Sequence, residues 1–204
     1  MGFFSQVIFP RLCDFLLNNP LVARHRQKLL TEAHGEVLEI GFGTGLNLPY
    51  YAAQVRKLTT VDPNPGMHRV AQKRVRQSSI EIDQRVASGE RLPFEDNHFD
   101  CAVSTFTLCS IPDVDQALRE AYRVLKPGGR FLFLEHGLSP ELRVQKWQRR
   151  LNWLHMRLAN GCHLDRNMKA LVAAQPFSSV DVEEFYLERT PKTHGYMYHG
   201  IAVK

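Results

Sequence analysis

Glu36-Val37-Leu38-Glu39-Ile40-Gly41-Phe42-Gly43-Thr44-Gly45 is a short apolar strand that runs directly into a glycine turn. Glycines at this point let the backbone turn sharply and approach a ligand without interference from a Cβ. A dinucleotide fingerprint needs G-x-G-x-x-G, and Leu46 breaks it. The pattern here is E-x-G-x-G-x-G. Asp62 follows 21 residues after Gly41, at the end of a second strand over 57–61. A carboxylate at that place accepts hydrogen bonds from both hydroxyls of a ribose. Nicotinamide enzymes share that geometry, so the glycine spacing is what discriminates.

Working outward, strand and helix alternate. A helix is predicted over 65–76 with Pro65 in its first turn, then strands over 80–87 and 99–105. Asp113 is the expected N-cap of a helix running to Leu125, with Pro127-Gly128-Gly129 as its stop. A fifth strand covers 130–135. Two helices, 141–159 and 165–174, precede closing strands over 180–187 and 198–203. The turn between those strands is too short for a crossover helix, so they pair antiparallel. The fold class expected is α/β: a seven-stranded, mainly parallel Rossmann-like sheet with an antiparallel C-terminal hairpin and helices on both faces. Ligands then bind beyond the carboxyl ends of the strands.

Composition narrows the class. With 204 residues, 44% of them hydrophobic and 23% charged, the chain suits one soluble domain with a sizeable core. Cys13, Cys101, Cys109 and Cys162 form no CxxC pair, which argues against a disulfide framework and for a reducing, cytoplasmic setting. Cys101 and Cys109 lie in an apolar stretch and are read as small hydrophobes. Of the formal charge of +5, part comes from Arg143, Lys146, Arg149, Arg150 and Arg157, read as a solvated helix face. No nucleic-acid module is present. The apolar run Phe3, Phe4, Val7, Ile8, Phe9, Leu12, Phe15, Leu16 and Leu17 is interrupted by Arg11 and Asp14. It is too short to span a bilayer, which needs about 20 apolar residues, and it lacks the marks of a signal peptide. An amphipathic helix packed on the domain is expected, with peripheral membrane contact as the alternative.

Taken together, the glycine motif, Val61-Asp62-Pro63-Asn64-Pro65-Gly66-Met67, Leu92-Pro93-Phe94, Phe99-Asp100 and Val124-Leu125-Lys126-Pro127-Gly128-Gly129 resemble the class I S-adenosylmethionine-dependent methyltransferases, type 11 small-molecule group. The resemblance covers about 32–136. It implies one domain over 1–204: an N-terminal helical lid (1–31), a cofactor-binding core (32–136), and substrate-side helices and closing strands (137–204). It also implies S-adenosylmethionine as cofactor and S-adenosylhomocysteine as product. By the same resemblance Gly41, Gly43 and Gly45 cradle the methionyl and ribose parts. Glu39 sits near the methionyl amine or organises the loop. Asp62 holds the ribose, and Pro63 and Asn64 flank the adenine. Gly89 and Glu90 reach the adenine ring, and Thr105 and Phe106 the methionyl portion. Ser88 stands where many relatives carry Asp; either its hydroxyl or Glu90 takes over. Leu108-Cys109-Ser110-Ile111, Glu135-His136, Trp147-Gln148 and Gly161-Cys162-His163-Leu164 are similar to the branch of thiol methyltransferases and their bacterial relatives. They imply a small apolar acceptor, a thiol or quinone-like molecule. The alternatives are a membrane-surface lipid methyltransferase and a non-catalytic S-adenosylmethionine-binding module.

Methyl transfer from a sulfonium needs a base only if the acceptor must lose a proton. His136, at the end of the fifth strand, is the first candidate; the alternative is a histidine that caps the strand or orients Glu135. His163 is second, with a structural role as its alternative. Cys162 lacks an evident activator and is expected to be buried. A Cys162/His163 metal site would need two more ligands, and the sequence points to none, so no metal is expected. Trp147, Trp153, His155 and Met156 are read as packing residues of the long helix.

Overall fold

The computed structural model describes residues 2–204. Seven strands form one sheet: β1 (Gly35–Ile40), β2 (Val55–Val61), β3 (Glu81–Arg85), β4 (Phe99–Thr105), β5 (Leu125–His136), β6 (Ser179–Tyr186) and β7 (Tyr196–Val203). Their order is β3-β2-β1-β4-β5-β7-β6. The first five run parallel, and β7 pairs antiparallel with both β5 and β6. Strand order reverses between β1 and β4, which opens a crevice at their carboxyl ends.

The core follows from alternation along the central strands. In β5, Phe131 and Phe133 point into one apolar cluster, and Leu132 and Leu134 into the other. All four are fully buried, because helices cover both faces. Each contributes roughly 1.5–3 kcal/mol by leaving water. One face carries α4 (Val114–Val124), whose Ala117, Leu118, Ala121 and Val124 repeat at helical spacing, and α6 (Met168–Ala173). The other carries α2 (Pro20–Leu30) and α3 (Pro65–Gln77) through Leu29, Leu30 and Ala71. The cap expected at Asp113 forms, and Asn64 caps α3 as well. The Asp113 side chain accepts from the backbone N–H of Gln116 and that of Asn64 from the N–H of Gly66, each at 2.9 Å.

Two expectations change. Pro127-Gly128-Gly129 does not end an element before the strand. It lies inside β5, where pairing with β4 shifts register between Phe99 and Cys101. Gly128 N–H donates to the Lys204 carbonyl and Lys204 N–H to that of Gly129, so β5 stays paired on its β7 side where its ladder with β4 is irregular. Trp147 and Trp153 do not pack inside. On α5 (Leu142–Leu158) they are 57% and 60% exposed, with Arg150 and Arg157 stacked over their rings. This helix is docked by a buried polar residue instead. The Gln148 side-chain amide accepts from Ser139 N–H at 3.0 Å and donates to the Gly137 carbonyl at 2.9 Å.

The N-terminal segment is helical: a π-helical turn (Phe4–Ile8) continues into α1 (Phe9–Leu17). It lies directly on the first turn of α3. A Cβ at Gly66 would overlap the Gln6 carbonyl, and the Asn64 amide donates to the Ser5 carbonyl at 2.8 Å. Arg74 clasps Asp14 through two hydrogen bonds, at 2.7 and 3.3 Å.

Candidate active site

A cleft of about 530 Å³ opens at the reversal of strand order. The glycine turn, Asp62-Pro63-Asn64, Ser88-Gly89-Glu90, Thr105-Phe106-Thr107 and Ser110-Ile111-Pro112 form its walls, with Phe9, Cys13, Leu17 and Arg26 closing one side. Another hollow, about 680 Å³ and more open, lies between Leu48 and Ile80 and gathers neither the glycine turn nor Asp62.

Gly41, Gly43 and Gly45 all hold positive φ. At Gly41 the reason is double. Its φ of 76° strains any L side chain, and a Cβ there would overlap Thr107. Asp62 is 6% exposed and accepts from Gly43 N–H at 2.9 Å on one oxygen and from Asn64 N–H at 2.8 Å on the other. Burial raises its pKa, opposed by those two bonds. A carboxylate offers about four lone-pair positions, so two remain for hydroxyls presented from the cleft. The residues therefore fit a ribose held between Asp62 and a turn without side chains.

Glu39 lies inside β1, 2% exposed, and does not line the cleft. It accepts from the Asn47 amide at 2.9 Å and from the Tyr51 hydroxyl at 2.7 Å. Burial pushes its carboxyl up to about 7 against those bonds. Asn47 also donates to the Thr105 hydroxyl at 3.0 Å and accepts from Arg26 Nε at 3.0 Å. Glu39 thus organises the turn through Asn47 and reaches the cleft only by way of it. Arg26, 4% exposed and in the cleft wall, is the cation beside this network. Burial brings its pKa down to about 10, and Glu39 partly offsets that. Its place 13 residues before Glu39, outside every motif, is why the sequence did not single it out.

Glu90 and Ser88 divide their work. Glu90 accepts from the Ser88 hydroxyl at 2.9 Å and from Asp113 N–H at 2.8 Å. Each of its oxygens thereby has one partner in the wall, and Ser88 shares the cleft with it. Phe106 adopts φ 53° under the guanidinium of Arg26. The turn that carries it is held by Glu135, which is fully buried and accepts from the Ser104 hydroxyl and from the N–H groups of Thr107 and Leu108.

His136 and His163 are not in the cleft wall. His136 is buried behind it, with Nε2 2.9 Å from Cys162 Sγ. His163 is half-buried, 3.7 Å from Asp165, and its N–H donates to the Cys109 carbonyl. Cys109, His136 and Cys162 come together in three dimensions, a cluster that their spacing in sequence does not announce.

Residues 38–133 match a family model described as a methyltransferase domain. The chain is 37% identical over 153 residues to the thiol S-methyltransferase TMT1B of Rattus norvegicus, covering 72% of this chain and 62% of that protein. With the human thiol S-methyltransferase TMT1A it shares 32% over 173 residues, covering 82% and 70%. With the ubiquinone/menaquinone biosynthesis C-methyltransferase UbiE of Bartonella henselae it shares 43% over 107 residues, covering 50% and 41%. A solved S-adenosylmethionine-dependent methyltransferase from Thermotoga maritima superposes with a TM-score of 0.68 at 21% identity, over 97% of this chain and 98% of that one. The order of the strands, the glycine turn held by Asp62, and these matches lead to one conclusion: the chain belongs to the class I S-adenosylmethionine-dependent methyltransferases, related to their thiol and quinone methyltransferase branch.

Proposed function

We propose that the protein methylates a small apolar acceptor from S-adenosylmethionine, and that the acceptor atom is a thiol sulfur. One observation carries this reading: among the described residues, no histidine lines the cleft, and both carboxylates that do already hold parts of its wall. Its titratable side chains are Cys13, Arg26, Asp62 and Glu90. Asp62 holds the glycine turn, Glu90 accepts from Ser88 and Asp113, Arg26 is a cation, and burial pushes the Cys13 thiol up to about 12. An amine or phenol with a pKa near 10 would need help to lose its proton, whereas a thiol near 8.5 is partly ionised at neutral pH.

S-adenosylmethionine supplies an activated methyl group on a sulfonium, and its departure leaves a neutral thioether. The chain's own contribution is placement. Asp62 and the glycine turn would hold the ribose, Arg26 would supply the cation for the methionyl carboxylate, and Phe9, Leu17, Ile111 and Pro112 would offer an apolar surface to the acceptor. Proximity of this kind is worth roughly 7–11 kcal/mol in well-oriented reactions. On this reading the N-terminal helices, which bring Phe9, Cys13, Leu17 and Arg26 to the cleft, serve as a lid that keeps water out. The sequence matches support a thiol over a quinol. A match of 107 residues is about the size of the 32–136 core, whereas matches of 153 and 173 residues must include acceptor-side chain.

The test is S-adenosylhomocysteine release over a panel of thiols, phenols, quinols, amines and lipids. Thiols alone should turn over, with a rate that rises with pH as the thiolate fraction does. Turnover of quinols or amines but not thiols would overturn the thiol reading. Cofactor binding by calorimetry with no release across the panel would favour a binding module.

A second reading concerns where the enzyme works. Phe3, Phe15, Leu16, Trp147, Trp153 and Leu158 are all more than half exposed, and Arg150 and Arg157 flank the two tryptophans. Exposed apolar side chains with cations beside them suit peripheral contact with an anionic membrane as an alternative to a purely cytoplasmic setting. No helix among the described residues is long and apolar enough to cross a membrane. Co-sedimentation with anionic liposomes that is lost on deleting residues 1–17 would support contact; no co-sedimentation would remove it.

A further inference from the structure

Behind the acceptor wall, three chain segments place soft donors at one point. Cys109 follows β4, His136 ends β5, and Cys162 lies in the loop after α5. Cys162 Sγ is 2.9 Å from His136 Nε2 and 3.3 Å from Cys109 Sγ. The donor atoms of all three residues lie within 4.8 Å of one another. All are buried. From this geometry we infer that Cys109, His136 and Cys162 form a binding site for a thiophilic divalent cation, zinc above all.

The spacing suits that ion. Tetrahedral zinc with Zn–S near 2.3 Å and Zn–N near 2.0 Å sets its ligand atoms roughly 3.5–3.8 Å apart. The observed separations need to open by about half an ångström or a little more. The segments are already in place without the sulfurs. His163 N–H donates to the Cys109 carbonyl, and the Arg166 guanidinium donates to the carbonyls of Leu108 and Ile111. A site built before the ion arrives avoids much of the ordering cost of binding.

Charge points the same way. Binding releases one proton from each thiol. Zn²⁺, two thiolates and a neutral imidazole sum to zero, so the buried site acquires no net charge. Soft thiolate with imidazole selects zinc over magnesium or calcium, which require oxygen. Three protein ligands leave a fourth position for a water molecule. His155 and His194, both half-buried, pack in line with His136, with ring centroids 6.4 Å apart for His136 and His155 and 5.0 Å for His155 and His194. The ion would tie together the segments beside Ser110 and Asn160, which line the cleft.

The full-length protein, stripped with a chelator and kept reduced, is titrated with Co²⁺ and then with Zn²⁺. One equivalent of Co²⁺ should bind, with a thiolate-to-cobalt charge-transfer band and the intense visible bands of tetrahedral cobalt. Zinc should displace it and protect two of the four thiols from alkylation. Cys109→Ser and Cys162→Ser should each weaken binding by at least about 100-fold. Cys101→Ser, whose thiol lies elsewhere beside His34, should leave the spectrum unchanged. Circular dichroism and cofactor calorimetry on each variant separate loss of the site from loss of the fold. Absence of stoichiometric binding in the wild-type protein, or charge-transfer bands that survive in both Cys109→Ser and Cys162→Ser, would overturn the assignment. Because the readout is metal binding, it stands or falls independently of the thiol acceptor.

Discussion

The two halves of the cleft are held in different ways. On the cofactor side, buried carboxylates grip chain close to them in sequence. Asp62 reaches Gly43 and Asn64, 19 and 2 residues away, and Glu39 reaches Asn47 and Tyr51, 8 and 12 away. On the acceptor side the contacts are long-range. Ser5 meets Asn64 across 59 residues, Asp14 meets Arg74 across 60, Cys109 meets Cys162 across 53, and Leu108 meets Arg166 across 58. The first half is carried mainly by short motifs, with Asn47 bridging to Arg26 and Thr105 as its longer ties. The second exists only when distant segments have docked. A half built from local turns is rigid and suits a constant ligand; a half built from docked segments is free to vary with the acceptor.

The largest effect that separates the halves is expected at Asp62. Asp62→Ala removes the acceptor for two backbone N–H groups and, on the proposed reading, two hydrogen bonds to ribose. At roughly 1.5–3 kcal/mol for each bond to a charged group, cofactor affinity should fall about 100-fold or more by calorimetry. A loss below about threefold would mean that the turn does not depend on its carboxylate, and the contrast would break.

An intermediate effect concerns Glu39 and pH. Its folded pKa, raised from 4.5 to about 7 by burial, lies above its unfolded value. The folded state therefore holds this proton more tightly. The group's contribution is full below about 4.5 and is lost as pH rises through about 7. Urea denaturation should show stability declining over that window, by at most about 3 kcal/mol from this group. Glu39→Gln, which keeps the neutral form, should flatten the decline. An unchanged slope in Glu39→Gln would assign the pH dependence to other groups.

The smallest effect is expected at Asp14, which is exposed by about a quarter. Asp14→Ala breaks the clasp on Arg74 at a cost of about 1 kcal/mol or less. Proteolysis within residues 1–17 should speed up while cofactor affinity changes little. Equal loss of cofactor affinity would show that the N-terminal segment belongs energetically to the cofactor half.

The strands and the cofactor half were legible because their signals are local. The continuous apolar run Phe131-Leu132-Phe133-Leu134 marks a strand buried on both faces, and Asp113 before a helix satisfies orphan N–H groups wherever that helix docks. The exposed tryptophans were misread because helical spacing predicts a shared face and not what covers it. Arg26 and Glu135 carry no motif; their roles come from what they touch.

By itself the sequence determined the alternation of strands and helices that makes the sheet mainly parallel, the antiparallel hairpin, and the glycine turn with Asp62 at the end of the next strand, since each signal lies within one strand, one turn or one strand-to-strand connection. Only the tertiary structure decided that His136 lies behind the cleft wall, that Cys109 and Cys162 meet, and that no histidine lines the cleft among the described residues. The physical reason is that side-chain contact between distant segments depends on docking, through buried groups such as Gln148 and Arg166, and docking has no local code in the chain.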